Sequence, residues 1–221
     1  MRGCFLLLSA CFAAQAHDIV TTSITWSREI SRIVNQHCAS CHRPGGMAFS
    51  LLTYGEARPW AVAIKEEILR RRMPPWGAVK GFGEFRNDQA LTPEEMERIV
   101  SWTDGGVPEG DAKDLPPPRK PDAAPLPSRG GELIVSGEFA LTRPLRLDGL
   151  WPQKVPESGS FQITAQLPDG AIVPLLWLLD YKARFDHPFL FATPLNLPAH
   201  TVIRGIPPGV RIALLPSAAR K

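Results

Sequence analysis

The chain has 221 residues, of which 44% are hydrophobic and 21% are charged, and its formal net charge is +3. This length and composition suit one or two globular domains, and so small a charge argues against a nucleic-acid partner or binding to an anionic membrane. The longest apolar run, residues 171–179, contains Pro174 and is far shorter than the roughly 20 residues that a membrane-spanning helix requires. We therefore expect no transmembrane span.

Residues 1–16 are predicted to be a signal peptide. A positively charged start is followed by an apolar run over residues 4–14 and by an A-x-A cleavage site that ends at Ala16. The mature chain would begin at His17 and lie outside the cytoplasm, in a bacterial periplasm. An alternative stays open, because the residues up to Cys11 resemble a lipoprotein box, and a lipid anchor at Cys11 would tether the protein to a membrane.

A C-x-x-C-H motif at residues 38–42 follows a predicted amphipathic helix over residues 23–35. This motif is the signature of covalent attachment of a c-type haem. Cys38 and Cys41 would form thioethers with the haem, and His42 would be the proximal ligand of its iron. A C-x-x-C pair also occurs in zinc sites, redox dithiols and disulfides, but no second Cys or His pair at ligand spacing is present. One covalent haem c is the predicted cofactor.

The distal iron ligand is predicted to be Met73. A second helix, predicted over residues 53–72, ends just before Met73 and two prolines, which form a stiff loop that can hold a thioether against the iron. Met47 is too close to His42 to reach the opposite face of the haem, and Met96 lies on the apolar face of a later helix. The alternative is that Met73 only fills a gap in the core. Methionine–histidine ligation raises the reduction potential and leaves no open position on the iron.

A third helix is predicted to begin with Thr92 as its N-cap and to end at Gly105-Gly106. The composition then changes, because residues 114–129 are rich in proline and typical of an extended, semi-rigid linker. We therefore predict a helical domain over residues 17–113 and a second domain over residues 130–221.

The second domain is predicted to be a small antiparallel β-sandwich or partial barrel, so the fold class of the whole chain is α+β with two domains. A hairpin turn is expected at residues 168–170, where the sequence reads Pro-Asp-Gly. The predicted strands span residues 132–141, 161–167, 171–181, 189–192 and 201–203.

Several other residues have two open interpretations. The basic cluster Arg70-Arg71-Arg72 is either a solvated helix end, where positive charge suits the helix dipole, or a contact for an acidic redox partner or a haem propionate. Trp60 and Trp76 pack either on the haem edge or in the core. His187 and His200 are predicted to be surface or turn residues rather than metal ligands.

The motif, the Met73 loop and a last helix that ends near Trp102 resemble class I cytochrome c. That resemblance implies an all-α cytochrome c fold in which the motif histidine and a loop methionine ligate iron. A closer resemblance, over about residues 23–115, is to the cytochrome c domains that are fused to copper type II ascorbate-dependent monooxygenase-like domains. This closer resemblance lies in residues 41–46, 70–76, 81–85 and 102–111.

The second domain resembles the end of the copper-binding β-domain of those fusions at residues 167–170, 175–177 and 195–201. That family builds its copper site from two histidines and one methionine. Here the second domain has only His187 and His200 and no methionine, and His200 stands where a glycine is usual. The ligand count therefore does not favour copper catalysis.

Together these features predict an exported monohaem cytochrome c that carries one electron between redox proteins and is not itself an enzyme. Two alternatives stay open. In one, the haem feeds electrons to a copper monooxygenase-like enzyme. In the other, Met73 dissociates and the haem senses a gas. The second domain is expected either to dock a partner or to be a degenerate relic.

Overall fold

The computed structural model describes residues 22–118, 131–156 and 158–217. The predicted signal peptide, Cys11 and residues 119–129 of the predicted linker lie outside these ranges. We call residues 22–118 the helical part and residues 131–217 the β part. The former contains the α-helices and the latter two antiparallel sheets, which confirms the α+β class with two parts. Across the described ranges, no helix is both long and apolar enough to cross a membrane.

The helical part follows the predicted order of helices with one interruption. The second helix, predicted to be continuous, is divided by a 3₁₀ turn at Arg58–Trp60. Pro59 lies in this turn and has no N–H to donate to a regular helix. The helices are α1, formed by the consecutive segments Trp26–Ile30, Ser31–Ile33 and Val34–Cys38, α2 (Tyr54–Ala57), α3 (Ala61–Leu69) and α4 (Pro93–Asp104).

Helix α4 begins and ends as its sequence predicts. The Thr92 hydroxyl accepts a hydrogen bond from the Glu95 N–H, and the Glu95 carboxylate accepts one from the Thr92 N–H. Gly105 caps the other end. Trp102 of α4 packs against Trp26 of α1, with 6.0 Å between ring centroids, in a core that α3 shares. Helix α1, which leads into the motif, and helix α4, which is the last α-helix of the helical part, are thus held together by a buried aromatic pair.

The β part contains two four-stranded antiparallel sheets, with strand orders β1-β8-β3-β6 and β2-β7-β4-β5. The predicted hairpin joins β4 to β5, and Gly170 in its turn has a φ of 88°, which glycine adopts without strain. Buried residues of both sheets belong to one hydrophobic core. The strands are Leu133–Val135, Phe139–Ala140, Leu145–Lys154, Ser160–Gln166, Ile172–Leu179, Phe189–Leu197, Val202–Arg204 and Arg211–Pro216, numbered β1 to β8.

Strands β3 and β8, the central pair of the first sheet, were not among the predicted strands. Both are buried on two faces, so their sequences do not alternate between apolar and polar residues. In β8, Ile212 and Leu214 belong to the main core, whereas Ala213 and Leu215 belong to a smaller cluster with Trp151 of β3. A strand of this kind lacks the alternating pattern from which the other strands were predicted.

One segment of the helical part packs on the β part. We call residues 76–87 the strap. Trp76, at its start, is 4% exposed and belongs to the core of the β part, and Phe85 packs against the same core. Of the two interpretations of Trp76, the core placement is therefore confirmed. The strap begins three residues after Met73, so the loop that carries the predicted ligand leads directly into the β part.

Candidate haem site

The C-x-x-C-H motif forms a tight turn at the end of α1. Cys38 is the last residue of the helix, and its carbonyl accepts hydrogen bonds from the N–H groups of Cys41 and His42 at 3.1 and 2.9 Å. Both thiols are half-buried and neither is in a disulfide. Burial, with smaller contributions from Cys41 and Glu95, raises the pKa of the Cys38 thiol to about 12. A neutral thiol is a poor nucleophile, which argues against a redox dithiol.

His42 presents the correct ring nitrogen for an iron ligand. Its Nδ1 lies 3.0 Å from the carbonyl oxygen of Phe49, and a carbonyl can only accept, so Nδ1 carries the proton. In the neutral ring Nε2 then carries the lone pair that a metal ligand requires. The Phe49 ring packs edge-on against His42, with 5.1 Å between centroids. Two unpaired thiols and this oriented imidazole fit a covalently attached haem.

The loop after the motif is folded back against it through Gly46. The Gly46 N–H donates to the Arg43 carbonyl at 2.9 Å, and the Ala48 N–H donates to the Cys41 carbonyl at 3.2 Å. A Cβ at position 46 would lie only 2.3 Å from the Cys41 carbonyl oxygen. Glycine is therefore required here by the close approach of the motif backbone.

We expect Gly46→Ala to destabilise the motif turn by about 1–3 kcal/mol, because the added methyl group must displace backbone rather than a flexible side chain. The measurement is thermal denaturation of the haem-bearing protein, followed by its absorbance. Gly55→Ala is the matched control, since a Cβ at position 55 meets no atom within 4 Å. Equal melting temperatures for the two variants would contradict this prediction.

Met73 is half-buried just beyond α3, and its N–H lies 3.3 Å from the Glu67 carbonyl oxygen. The other two methionines among the described residues differ from it. Met47 is 64% exposed, and Met96 packs against the core of the helical part, as predicted. The assignment of Met73 as the distal iron ligand stays a prediction.

The basic cluster and Trp60 lie at opposite ends of the segment that contains α3. Arg72 forms a two-pronged ion pair with Glu67, with Nε 2.8 Å from one carboxylate oxygen. Arg70 and Arg71 are exposed. Trp60 is 46% exposed and stacks on Phe49 with 4.5 Å between centroids, so it is not a core residue. The aromatic ring that contacts His42 is thus itself stacked against Trp60, and Phe49 is 50% exposed.

His37 is a buried polar residue beside the motif for which the sequence suggested no role. It is 4% exposed, its Nδ1 lies 3.1 Å from the Gln89 carbonyl oxygen, and its Nε2 lies 3.1 Å from Glu95. These contacts join the end of α1 to the start of α4. The sequence features that could have indicated this pair are a histidine directly before the first motif cysteine and the acidic residue of the α4 capping box.

Glu95 should make the stability of the protein depend on pH in the acidic range. Its partial burial would raise the pKa of the carboxyl, but the hydrogen bond from the Thr92 N–H and the charge of His37 outweigh it and hold the pKa below its usual 4.5. A carboxyl with a lowered pKa stabilises the fold above its unfolded pKa, and this stabilisation is lost as the pH falls through the folded pKa.

We therefore expect the wild-type melting temperature to fall more steeply than that of Glu95→Gln as the pH drops below 4.5, the usual value for this carboxyl. Thermal denaturation across this acid range is the measurement. Glu94→Gln is the matched control, because Glu94 is the exposed neighbour in the same helical turn. Parallel pH profiles for the wild type and Glu95→Gln would contradict the assignment.

The two histidines of the β part have different surroundings. His187 is half-buried, stacks on Trp76 with 5.1 Å between centroids, and places Nε2 3.1 Å from the Trp76 carbonyl oxygen. His187 lies in the loop before β6, in keeping with the prediction of a surface or turn residue, and aromatic packing on the strap covers part of its ring. His200 is an exposed turn residue with a φ of 68°, as predicted. Over the described ranges, no three His, Cys, Asp or Glu residues form a group that could hold a metal ion.

One part of the chain matches the model of a known protein family. Residues 27–103 are similar to the family of cytochrome c oxidase, cbb3-type, subunit III. The match includes the C-x-x-C-H motif, Met73 and most of α4, and it does not include the β part. No curated protein and no solved structure matches the chain. The similarity supports a monohaem cytochrome c domain in this part of the chain, and such a domain has covalently bound haem c.

Proposed function

We propose that the protein is an exported electron carrier that moves one electron at a time through a single haem c. The observation that carries this proposal is the arrangement at the end of α1, where two unpaired thiols lie next to an imidazole whose Nε2 is left free by the hydrogen bond from Nδ1 to Phe49. Bound haem would supply a reversible iron(III)/iron(II) couple. The similarity of residues 27–103 to a cytochrome c family supports the same function.

Four residues have proposed roles at the haem. Cys38 and Cys41 hold it through thioethers, His42 ligates the iron from the proximal side, and Met73 ligates it from the distal side. The carbonyl of Phe49 keeps the His42 ring oriented and increases its basicity as a ligand. A thioether at the sixth position raises the potential and keeps exogenous ligands from the iron. Together these roles describe a carrier rather than a catalyst at the iron.

The partners of such a carrier are redox proteins. Export through the predicted signal peptide would place the protein in the periplasm, or at a membrane if Cys11 is lipidated. The exposed Arg70 and Arg71 lie three and two residues before Met73, so they could guide an acidic partner toward the haem. Their exposure supports this docking role, which is part of the proposal.

The proposed function is tested by the spectrum and the redox titration of the purified haem-bearing protein. We expect a thioether-to-iron charge-transfer band in the spectrum of the ferric state, and one reversible one-electron wave in the redox titration. Ready binding of carbon monoxide by the ferrous protein would instead favour a gas sensor. Stoichiometric copper would favour an electron-feeding domain of a copper monooxygenase-like enzyme.

A further inference from the structure

We infer that the β part holds the loop of the distal ligand in place, and that Asp148 and His187 are positioning residues for Met73. The inference rests on the proposed ligation of iron by Met73. It assigns a role in haem chemistry to a part of the chain that lies outside the family match. The contacts that carry it are those of the strap, residues 76–87.

The backbone of the strap pairs with the outer strands of both sheets. Its first half forms an antiparallel bridge with β5, the last strand of one sheet, and its second half forms one with β6, the last strand of the other. The hydrogen bonds run from the Val79 N–H to Trp177 at 2.9 Å, from the Leu179 N–H to Gly77 at 2.8 Å, from the Ala192 N–H to Glu84 at 2.8 Å and from the Arg86 N–H to Leu190 at 2.9 Å. The strap therefore connects the two sheets at one side of the β part.

The start of the strap is fixed by aromatic packing. The Trp76 ring packs against His187, at 5.1 Å, and against Phe189, at 4.7 Å between centroids, and these two rings also contact each other at 5.0 Å. His187 also contacts the backbone, because its Nε2 lies 3.1 Å from the carbonyl oxygen of Trp76. Displacing Trp76 would thus break both a ring stack and a hydrogen bond to the β part.

The end of the strap is fixed by charge. Both Nη atoms of Arg86 donate to the carboxylate of Asp148 on β3, at 3.0 and 2.7 Å, and Nη1 also donates to the Phe191 carbonyl at 2.8 Å. Asn87 adds a reciprocal pair, donating to the Pro188 carbonyl at 2.8 Å and accepting from the Leu190 N–H at 3.0 Å. Two-pronged ion pairs of this kind fix orientation as well as distance.

The anchoring of Trp76 must reach Met73 because the connection between them is short and stiff, whereas Arg86, 13 residues after Met73, acts through the strap backbone that is paired with β5 and β6. Only Pro74 and Pro75 separate Met73 from Trp76, and their rings fix the backbone φ angles. The Trp76 N–H also donates to the Pro74 carbonyl at 2.8 Å. On the other side, Met73 follows α3 and its N–H contacts Glu67. Movement of Trp76 is therefore passed to the thioether rather than absorbed by a flexible linker.

The experiment measures how easily imidazole displaces the proposed Met73 ligand from the ferric haem-bearing protein. For Asp148→Asn, which weakens the anchor of Arg86, we expect imidazole affinity to rise roughly five- to tenfold, as for loss of one charged hydrogen-bonded pair. The reduction potential of the haem should fall in Asp148→Asn as well. Glu138→Gln is the control for loss of a carboxylate, because Glu138 pairs with Arg204 at 3.4 Å within the β part.

A second control separates positioning from general stability. Val135→Ala removes buried volume from β1, at the opposite edge of the sheet from β6, and should lower the melting temperature without changing imidazole affinity. His187→Asn, compared with His200→Asn, tests the other anchor and replaces Asp148→Asn if that variant does not fold. Imidazole affinity and melting temperature are both measured on the full chain.

The outcomes distinguish this inference from the proposed function. If the wild-type ferric protein lacks the thioether-to-iron band, Met73 is not the ligand and the proposed ligation falls. If the band is present but the anchor variants bind imidazole no better than Glu138→Gln and Val135→Ala, the ligation stands and the positioning role is overturned. A rise in affinity confined to the anchor variants supports the inference.

Discussion

Met73→Ala is expected to abolish the thioether-to-iron band and to lower the reduction potential by at least about 0.1 V, a fraction of the roughly 0.8 V range over which axial ligands set haem potentials. The physical reason is that a thioether favours iron(II) over iron(III) more than water or a nitrogen ligand does. Absorbance of the ferric protein and a potentiometric titration are the measurements. The vacated position should also bind carbon monoxide in the ferrous state.

Two other methionines provide controls for Met73→Ala. Met47→Leu changes an exposed side chain, and Met96→Leu changes one that packs in the helical core. Leucine conserves most of the volume of methionine, so neither change should cost more than about 1.5 kcal/mol or alter the band. Loss of the band in Met96→Leu, with its retention in Met73→Ala, would reassign the distal ligand.

The double variant Cys38→Ala/Cys41→Ala is expected to lose covalent haem altogether. Each thioether requires its own thiol, and the motif carries the two cysteines among the residues that the structure describes. Haem staining after denaturing electrophoresis and the mass of the intact chain are the measurements. Each single variant should retain one thioether and therefore keep haem on the denatured chain.

Ser40→Ala is the control for the cysteine variants, because Ser40 lies in the same turn and donates to the Gln89 side chain at 3.3 Å. It leaves the spacing of the motif unchanged and should retain full haem staining. Covalent haem in the double variant would show attachment elsewhere and would contradict the assignment of both cysteines.

Local signals in the sequence were sufficient for the ends of α4 and for the hairpin of the β part, but not for the 3₁₀ turn that divides the second predicted helix. The capping box at Thr92 and the Pro-Asp-Gly turn act through neighbouring residues, so the chain around them folds as predicted. Strands β3 and β8 depend instead on burial from both sides, which a single sequence does not reveal. The strap was missed for a related reason, since its partners lie about a hundred positions away in the chain, as for Arg86 and Phe191.

The candidate site was predictable where it is contiguous in sequence. Cys38, Cys41 and His42 are adjacent in a motif whose spacing is set by the haem itself. The groups that orient His42 and the neighbouring His37 lie outside the motif. Glu95, which contacts His37, is 58 positions away from it, and the Phe49 carbonyl that orients His42 is a backbone group that any residue could provide. Such contacts are decided by tertiary packing.

The strap also covers strand edges through which the β part would otherwise be open to pairing with other chains. A long outer strand offers unpaired backbone groups to other chains and is a common route to aggregation. Strands β5 and β6, with 8 and 9 residues, are outer strands that the strap partly covers, whereas the opposite outer strands, β1 and β2, have only 3 and 2 residues. The β part should therefore be poorly soluble when it is produced without the helical part, because its separation from the strap would expose both long edges.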